Sequence, residues 1–333
     1  MSIKKIINDD SMNPHQIIPI KYKWAREYYQ CGIANSWFPE EISMALDIEH
    51  WKSNNFLSEE ERRIIIFNLG FFSTAESLTA NNIVLAAFKY ITNPECRQYM
   101  LRQAFEEAVH TDTFIYCCDS LGLDPNQIYM SFINIPCIKA KDDFVIKLTS
   151  SILDPNFKTN TIEGIQELIK NLVGFYVIME GIFFYAGFAM ILSIKKQNKM
   201  VGIGQQFEYI MRDESIHLAF GFDVIMNIIN ENPNIWTNNL KNEISNLIDE
   251  AVKLEILYIK DACPSKCAGI SSEQFIKYIY YIADRRLERL GLNNLYFVEN
   301  PFPWMSQSID LSKEKNFFET RVTEYQTASS LDW

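Results

Sequence analysis

The chain has 333 residues, 48% of them hydrophobic and 14% aromatic, enough to bury a large core in one big domain or two ordinary ones. With only 12 Gly and 11 Pro it has neither a loop-rich nor a β-sandwich composition. A net charge of −11 without any block of Lys or Arg argues against a nucleic-acid surface.

Met1 to Asp10 contains no apolar run of the kind a secretory signal needs. The seven cysteines are odd in number and scattered, which reads as reduced thiols in a cytoplasmic protein. Cys263-Pro-Ser-Lys-Cys267 could be half of a zinc site, but no second pair has matching spacing.

Taken in order, residues 1–25 read as an irregular N-terminal arm, 26–303 as one helical domain and 304–333 as a polar C-terminal tail. Pro39 interrupts any helix near Trp37, which by itself reads as a packing aromatic. Ser58-Glu-Glu-Glu61 is a capping-box start, and the long helix after it runs to about Tyr90. Glu76 sits in its apolar interior, where a carboxylate is costly unless paired or bound to a metal. A second long helix spans Pro94 to Leu121, closed by Gly122, and carries Glu107-x-x-His110.

Shorter helices follow, bounded by Pro136 and Pro155. Asn171 to Ile194 is the most apolar stretch, with Glu180 as its single charge. Its length suits a membrane span, yet a helix buried in a large bundle has the same composition, and a central Glu would cost about 2–3 kcal/mol or more in lipid. No membrane is therefore expected. The helix over 201–229 carries Tyr209, Asp213 and Glu214-x-x-His217, and two more helices cover about 237–260 and 271–290.

These residues form a repeat. In each half a solitary buried Glu (Glu76, Glu180) precedes a Glu-x-x-His motif on the next long helix. Residues three apart share a helix face, so each motif offers a carboxylate and an imidazole to one ion. About fifteen residues down one helix and about fifteen up its neighbour bring the solitary Glu level with the motif. Four carboxylates and two imidazoles on four helices make a di-metal carboxylate site in a four-helix core, as in ferritin-like di-iron and di-manganese proteins. The donors suit iron and manganese, and the lack of thiolates argues against zinc or an iron–sulfur cluster. Glu106, next to Glu107, reads as an ordinary helix-surface charge.

The stretches FSTAESL around Glu76, RQAFEEAVHT around Glu107, IMEGIFFY around Glu180 and RDESIH around Glu214 carry a resemblance. So do NPFPWMS and EKNFFETRVTEYQ near the C-terminus. Over nearly its whole length the chain resembles the small, radical-generating subunit of class I ribonucleotide reductase, and within it the class Ic, chlamydial-type proteins with a manganese–iron cofactor. The resemblance implies an all-α, ferritin-like bundle. It implies Glu76, Glu107 and His110 as ligands of one metal and Glu180 and His217 of the other, with Glu107 and Glu214 bridging. One manganese and one iron are expected, two irons being the alternative. Phe114 stands where tyrosyl-radical enzymes carry the radical Tyr; it has no phenol to store a radical, so the oxidising equivalent stays on the metals. Two helical residues turn Tyr116 away from that position.

The resemblance further implies that Asp213 links His110 to Trp37, the inner relay residue, and that Tyr209 is a relay used in cofactor activation. Tyr325 would hand the radical to a catalytic Cys of a separate large subunit, into which the tail docks. A homodimer is expected. A Mn/Fe ligand-binding oxidase of the same superfamily, the main alternative, has no need of such a tail. A ferritin-like store would build a shell with many metals per chain.

Overall fold

The computed structural model describes residues 4–9, 16–82 and 86–305, so Tyr325 and nearly all of the tail lie outside the described residues. Nine long helices dominate these residues: α1 (Lys23–Ala34), α2 (Ala45–Lys52), α3 (Glu59–Asn82), α4 (Pro94–Leu121), α5 (Pro136–Thr149), α6 (Ile162–Lys195), α7 (Val201–Glu231), α8 (Asn238–Ala262) and α9 (Ser272–Arg289). Short helical turns occupy Phe88–Tyr90, Pro125–Tyr129 and Ser131–Asn134. A two-strand hairpin, β1 (Lys266–Cys267) with β2 (Ile270–Ser271), joins α8 to α9 in the Cys-Pro loop.

The helix ends follow the local sequence. Ser58 and Glu61 form the expected capping box at α3, each side chain taking the other's backbone N–H at 3.1 and 2.9 Å. Asn93 caps α4 through the N–H of Cys96, Pro94 occupies the first turn, and Gly122 ends it with a left-handed φ of 65°. Thr161, Thr237 and Ser271 cap α6, α8 and α9 in the same way.

Helices α3, α4, α6 and α7 form the central four-helix core: α3 packs on α4, and α6 on α7. The most apolar window of α6 is entirely buried, so α6 is a core helix. A large apolar side chain gains roughly 1.5–3 kcal/mol on leaving water, which accounts for this composition without any lipid. Gly221 on α7 permits a close approach to α6, since a Cβ there would sit 2.2 Å from the Tyr176 ring of α6.

Two features differ from the sequence reading. The middle of α6, Val173–Phe183, is wound as a π-helix rather than an α-helix. Within the stretch read as an irregular arm, Ile6 and Ile7 are fully buried, Ile7 bridges to Ile91, and α1 already begins at Lys23.

Candidate metal centre

Each of the four core helices brings carboxylates to one point at mid-height. Glu76 comes from α3, Glu107 and His110 from α4, Glu180 from the π-wound part of α6, and Glu214 and His217 from α7. All six side chains are fully buried. Their donor atoms fall into two overlapping clusters, each within 4.8 Å: Glu76, Glu107, His110 and Glu214 in one, Glu107, Glu180, Glu214 and His217 in the other. Glu107 and Glu214 belong to both. Among the described residues these are the two such clusters, and neither contains a cysteine, so the half-zinc reading of Cys263 and Cys267 gains no partner.

The donor set fits two cations. Glu76 Oε1, both oxygens of Glu107, Glu180 Oε2, both oxygens of Glu214 and Nδ1 of His217 are buried without a hydrogen-bond partner. His217 Nδ1 does approach Glu107 at 3.1 Å and Glu214 at 3.3 Å, but without hydrogen-bond geometry. So many orphaned acceptors around one point would cost several kcal/mol with nothing between them, and divalent cations compensate that charge. Burial also pushes the Glu76 and Glu180 carboxyls well above the usual range, with the Glu214 charge adding to it. At Glu107 burial acts the same way, but His217 and His110 outweigh it and hold the carboxyl low. The chain therefore holds a di-metal carboxylate site.

The imidazoles are oriented by what lies behind them. Both turn Nδ1 inward: His110 Nδ1 lies 3.1 Å from Glu214 and 3.4 Å from Glu76. His110 Nε2 faces Asp213 Oδ2 at 3.4 Å, and the same oxygen accepts from Trp37 Nε1 at 2.7 Å. Arg212 fixes the other Asp213 oxygen at 3.0 Å. Asp213 is buried, which by itself would raise its carboxyl, but His110 and Arg212 hold it below its usual value. The Tyr209 ring meets Trp37 edge-on, 5.2 Å between centroids. The structure thus brings Trp37, Asp213 and Tyr209 together beside His110.

His217 Nε2 faces Glu106 Oε2 at 2.8 Å, and Arg102 Nε binds the other Glu106 oxygen at 2.9 Å. Glu106 is thus buried, not the surface charge its sequence position suggested. Gly32 of α1 makes room for this pair, since a Cβ there would sit 2.8 Å from Glu106 Oε1. The missed signal was the repeat itself. An acid directly precedes the motif in both halves, Glu106 before Glu107 and Asp213 before Glu214, and each acid serves the histidine of the other half. Gln103, also missed, donates to Glu180 Oε1 at 3.2 Å and accepts from the Tyr176 hydroxyl at 3.1 Å.

Phe114 is fully buried, with Phe72 and Phe207 each 5.8 Å from its ring centre. Tyr116 is turned elsewhere and donates its hydroxyl to Ile42 O at 3.2 Å.

Comparison with known proteins agrees with this geometry. The sequence model of the family described as "Ribonucleotide reductase, small chain" matches residues 14–301. The ribonucleoside-diphosphate reductase subunit beta of Chlamydia pneumoniae is 60% identical over 333 residues, covering all of this chain and 96% of that protein. Subunit M2 of Danio rerio is 32% identical over 319 residues, covering 94% of this chain and 76% of that one. Among solved structures, a ribonucleotide reductase R2 subunit from Clostridium botulinum superposes with a TM-score of 0.82 at 27% identity, covering 92% of this chain and 94% of the other. A full-length relative at this identity, a matching family and a buried two-cation donor set lead to one conclusion: the chain belongs to the ribonucleotide reductase small-chain family and is the small subunit of a ribonucleoside-diphosphate reductase, an oxidoreductase.

Proposed function

We propose that Glu76, Glu107 and His110 hold one ion, Glu180 and His217 a second, and that Glu107 and Glu214 bridge them, with one manganese and one iron as the native pair. When bound, the pair supplies an oxidising equivalent derived from O₂. The observation that carries the assignment is the two overlapping clusters that share two carboxylates. Phe114 supports keeping the oxidising equivalent on the metals, because neither it nor the rings packed on it, Phe72 and Phe207, carries a phenol.

The protein's own groups position and connect. Glu106 and Asp213 hold the two imidazoles through Nε2, fixing the tautomer that leaves Nδ1 free for an ion. Trp37, hydrogen-bonded to Asp213, is the inner relay, and the Tyr209 ring against it is the next electron carrier used in activation. Packing from α4 and α7 keeps water from the donors. The expected tail, 304–333, docks into the large subunit, and its Tyr325 passes the radical to the catalytic Cys there. Tyr325→Phe therefore keeps the metals and abolishes turnover; near-normal turnover removes Tyr325 from the path.

A homodimer is supported by an exposed apolar stripe on α4: Leu101, Phe105 and Ile115 are 59%, 45% and 44% exposed on one helix face. The working place is the cytoplasm.

The test is ribonucleoside diphosphate reduction with the cognate large subunit, after loading with iron alone or with manganese plus iron and exposing to O₂. Turnover that requires manganese supports the pair proposed. Equal turnover with iron alone overturns it in favour of two irons. No turnover from either fully loaded form contradicts the radical path itself.

A further inference from the structure

Helix α6 changes its winding where it carries Glu180. Over Val173–Phe183 the turn is widened to the π form, and α winding resumes at Tyr185. In a π turn each N–H bonds the carbonyl five residues back, so the return to α winding skips a carbonyl and loosens the local backbone bonding. Two carbonyls close to that change accept from side-chain cations on different helices. Gly181 O accepts from Arg286 Nε of α9 at 2.9 Å. Phe183 O accepts from Lys141 Nζ of α5 at 3.2 Å. Glu180 stands immediately before this pair.

Lys141 is an unusual place to put a charge. Its side chain is fully buried, its ammonium lies 2.7 Å from Glu255, itself fully buried, and the rings of Phe71 and Tyr258 face it at 3.5 and 4.0 Å. Replacing such a buried pair with apolar side chains of similar size is often neutral or stabilising, so stability alone does not explain the pair. What an apolar pair could not do is donate to Phe183 O. Arg286 shows the same bias: its Nε is committed to Gly181 O while its Nη2 is buried without any acceptor. Glu180, for its part, has one hydrogen bond, from Gln103, and its Oε2 has none, so its position depends on the backbone beneath it.

We propose that Lys141 and Arg286 are positioning residues: from two sides they clamp the end of the π-wound segment and so set where Glu180 stands among the metal donors. The inference rests on Glu180 being a metal ligand. Without the clamp, a return towards α winding shifts the register by one residue, which turns a side chain by about 100° around the helix axis.

The test uses the full chain, metal-free, with Mn(II) as probe. The variants are Arg286→Leu and the paired Lys141→Met with Glu255→Leu, which deletes the clamp without leaving a buried charge. Circular dichroism checks folding, hydrogen–deuterium exchange follows residues 173–184, and anaerobic EPR titration counts bound Mn(II). Wild type is expected to bind two Mn(II). Each folded variant exchanges faster over 173–184, keeps one site at wild-type affinity and loses about 10–100-fold at the other, the scale of a lost outer partner. Folded variants with both affinities unchanged overturn the proposal, as does unchanged exchange over 173–184. A wild type that binds fewer than two Mn(II) overturns the ligand reading instead, while the exchange measurement still decides the clamp. If the paired variant does not fold, Arg286→Leu decides the matter alone.

Discussion

The two halves of the metal centre share a local sequence and differ in what stands behind it. Each has an acid followed by Glu-x-x-His, and each acid serves the histidine of the opposite half. Behind His110, Asp213 leads to Trp37 and on to the Tyr209 ring. Behind His217, Glu106 leads to Arg102, whose guanidinium lies over the Phe105 ring, 5.0 Å from its centroid. The solitary carboxylates differ as well: Glu76 sits on a regular α-helix and Glu180 on a π-wound segment tied down by two cations. Near-identical motifs thus receive different work from their neighbours. If the relay proposed above holds, the His110 half carries electron entry through Trp37, whereas the cation behind His217 holds charge and geometry.

The largest effect comes from a donor that both halves share. Glu107→Ala is expected to weaken both ions, by more than the roughly 10–100-fold that loss of an outer partner costs. Metal analysis after anaerobic loading checks this; loss of a single ion would break the claim that Glu107 bridges. Next comes the wiring of the His110 half. Trp37→Phe removes the N–H to Asp213, and turnover with the large subunit should fall by roughly two orders of magnitude, about 2.7 kcal/mol in barrier, with metal content unchanged. Turnover close to wild type would show that the halves do not differ in this way.

On the other side, Glu106→Gln should weaken the His217 site about 10-fold and leave the His110 site alone. Equal weakening of both sites, read by Mn(II) titration, would erase the distinction. Phe114→Tyr is expected to act on the stability of the metal-free protein rather than on metal binding or turnover. A phenol placed in the cage of Phe72 and Phe207 has no partner among those rings, at a cost of about 1–3 kcal/mol. Thermal unfolding of the metal-free protein measures it, and an unchanged midpoint would mean that the hydroxyl finds an acceptor.

The six donors were legible in the sequence because physics leaves few other uses for them. A charged side chain in an all-round apolar run, as at Glu76 and Glu180, needs a partner, and Glu-x-x-His supplies two donors to one face. Helix ends were legible for the same kind of reason, through Ser58, Asn93, Pro94 and Gly122. Glu106 was misread because an acid beside a motif looks like a solvated charge until the fold turns it inward. Lys141 was hidden for a like reason, lying in the charged run Lys139-Ala-Lys-Asp-Asp143 while its own side chain is fully buried. The π winding of α6 was not legible at all. A segment apolar on every side has no polar face to mark its period, so 3.6 and a wider turn leave the same sequence trace.

The central claim is that each half holds its own ion. Anomalous diffraction at the manganese and iron edges, from crystals of the full chain loaded with both metals, tests it most directly. The account predicts two peaks, one against Glu76 and His110 and the other against Glu180 and His217, each flanked by Glu107 and Glu214. A single peak, or metal bound elsewhere with these six side chains empty, would contradict it.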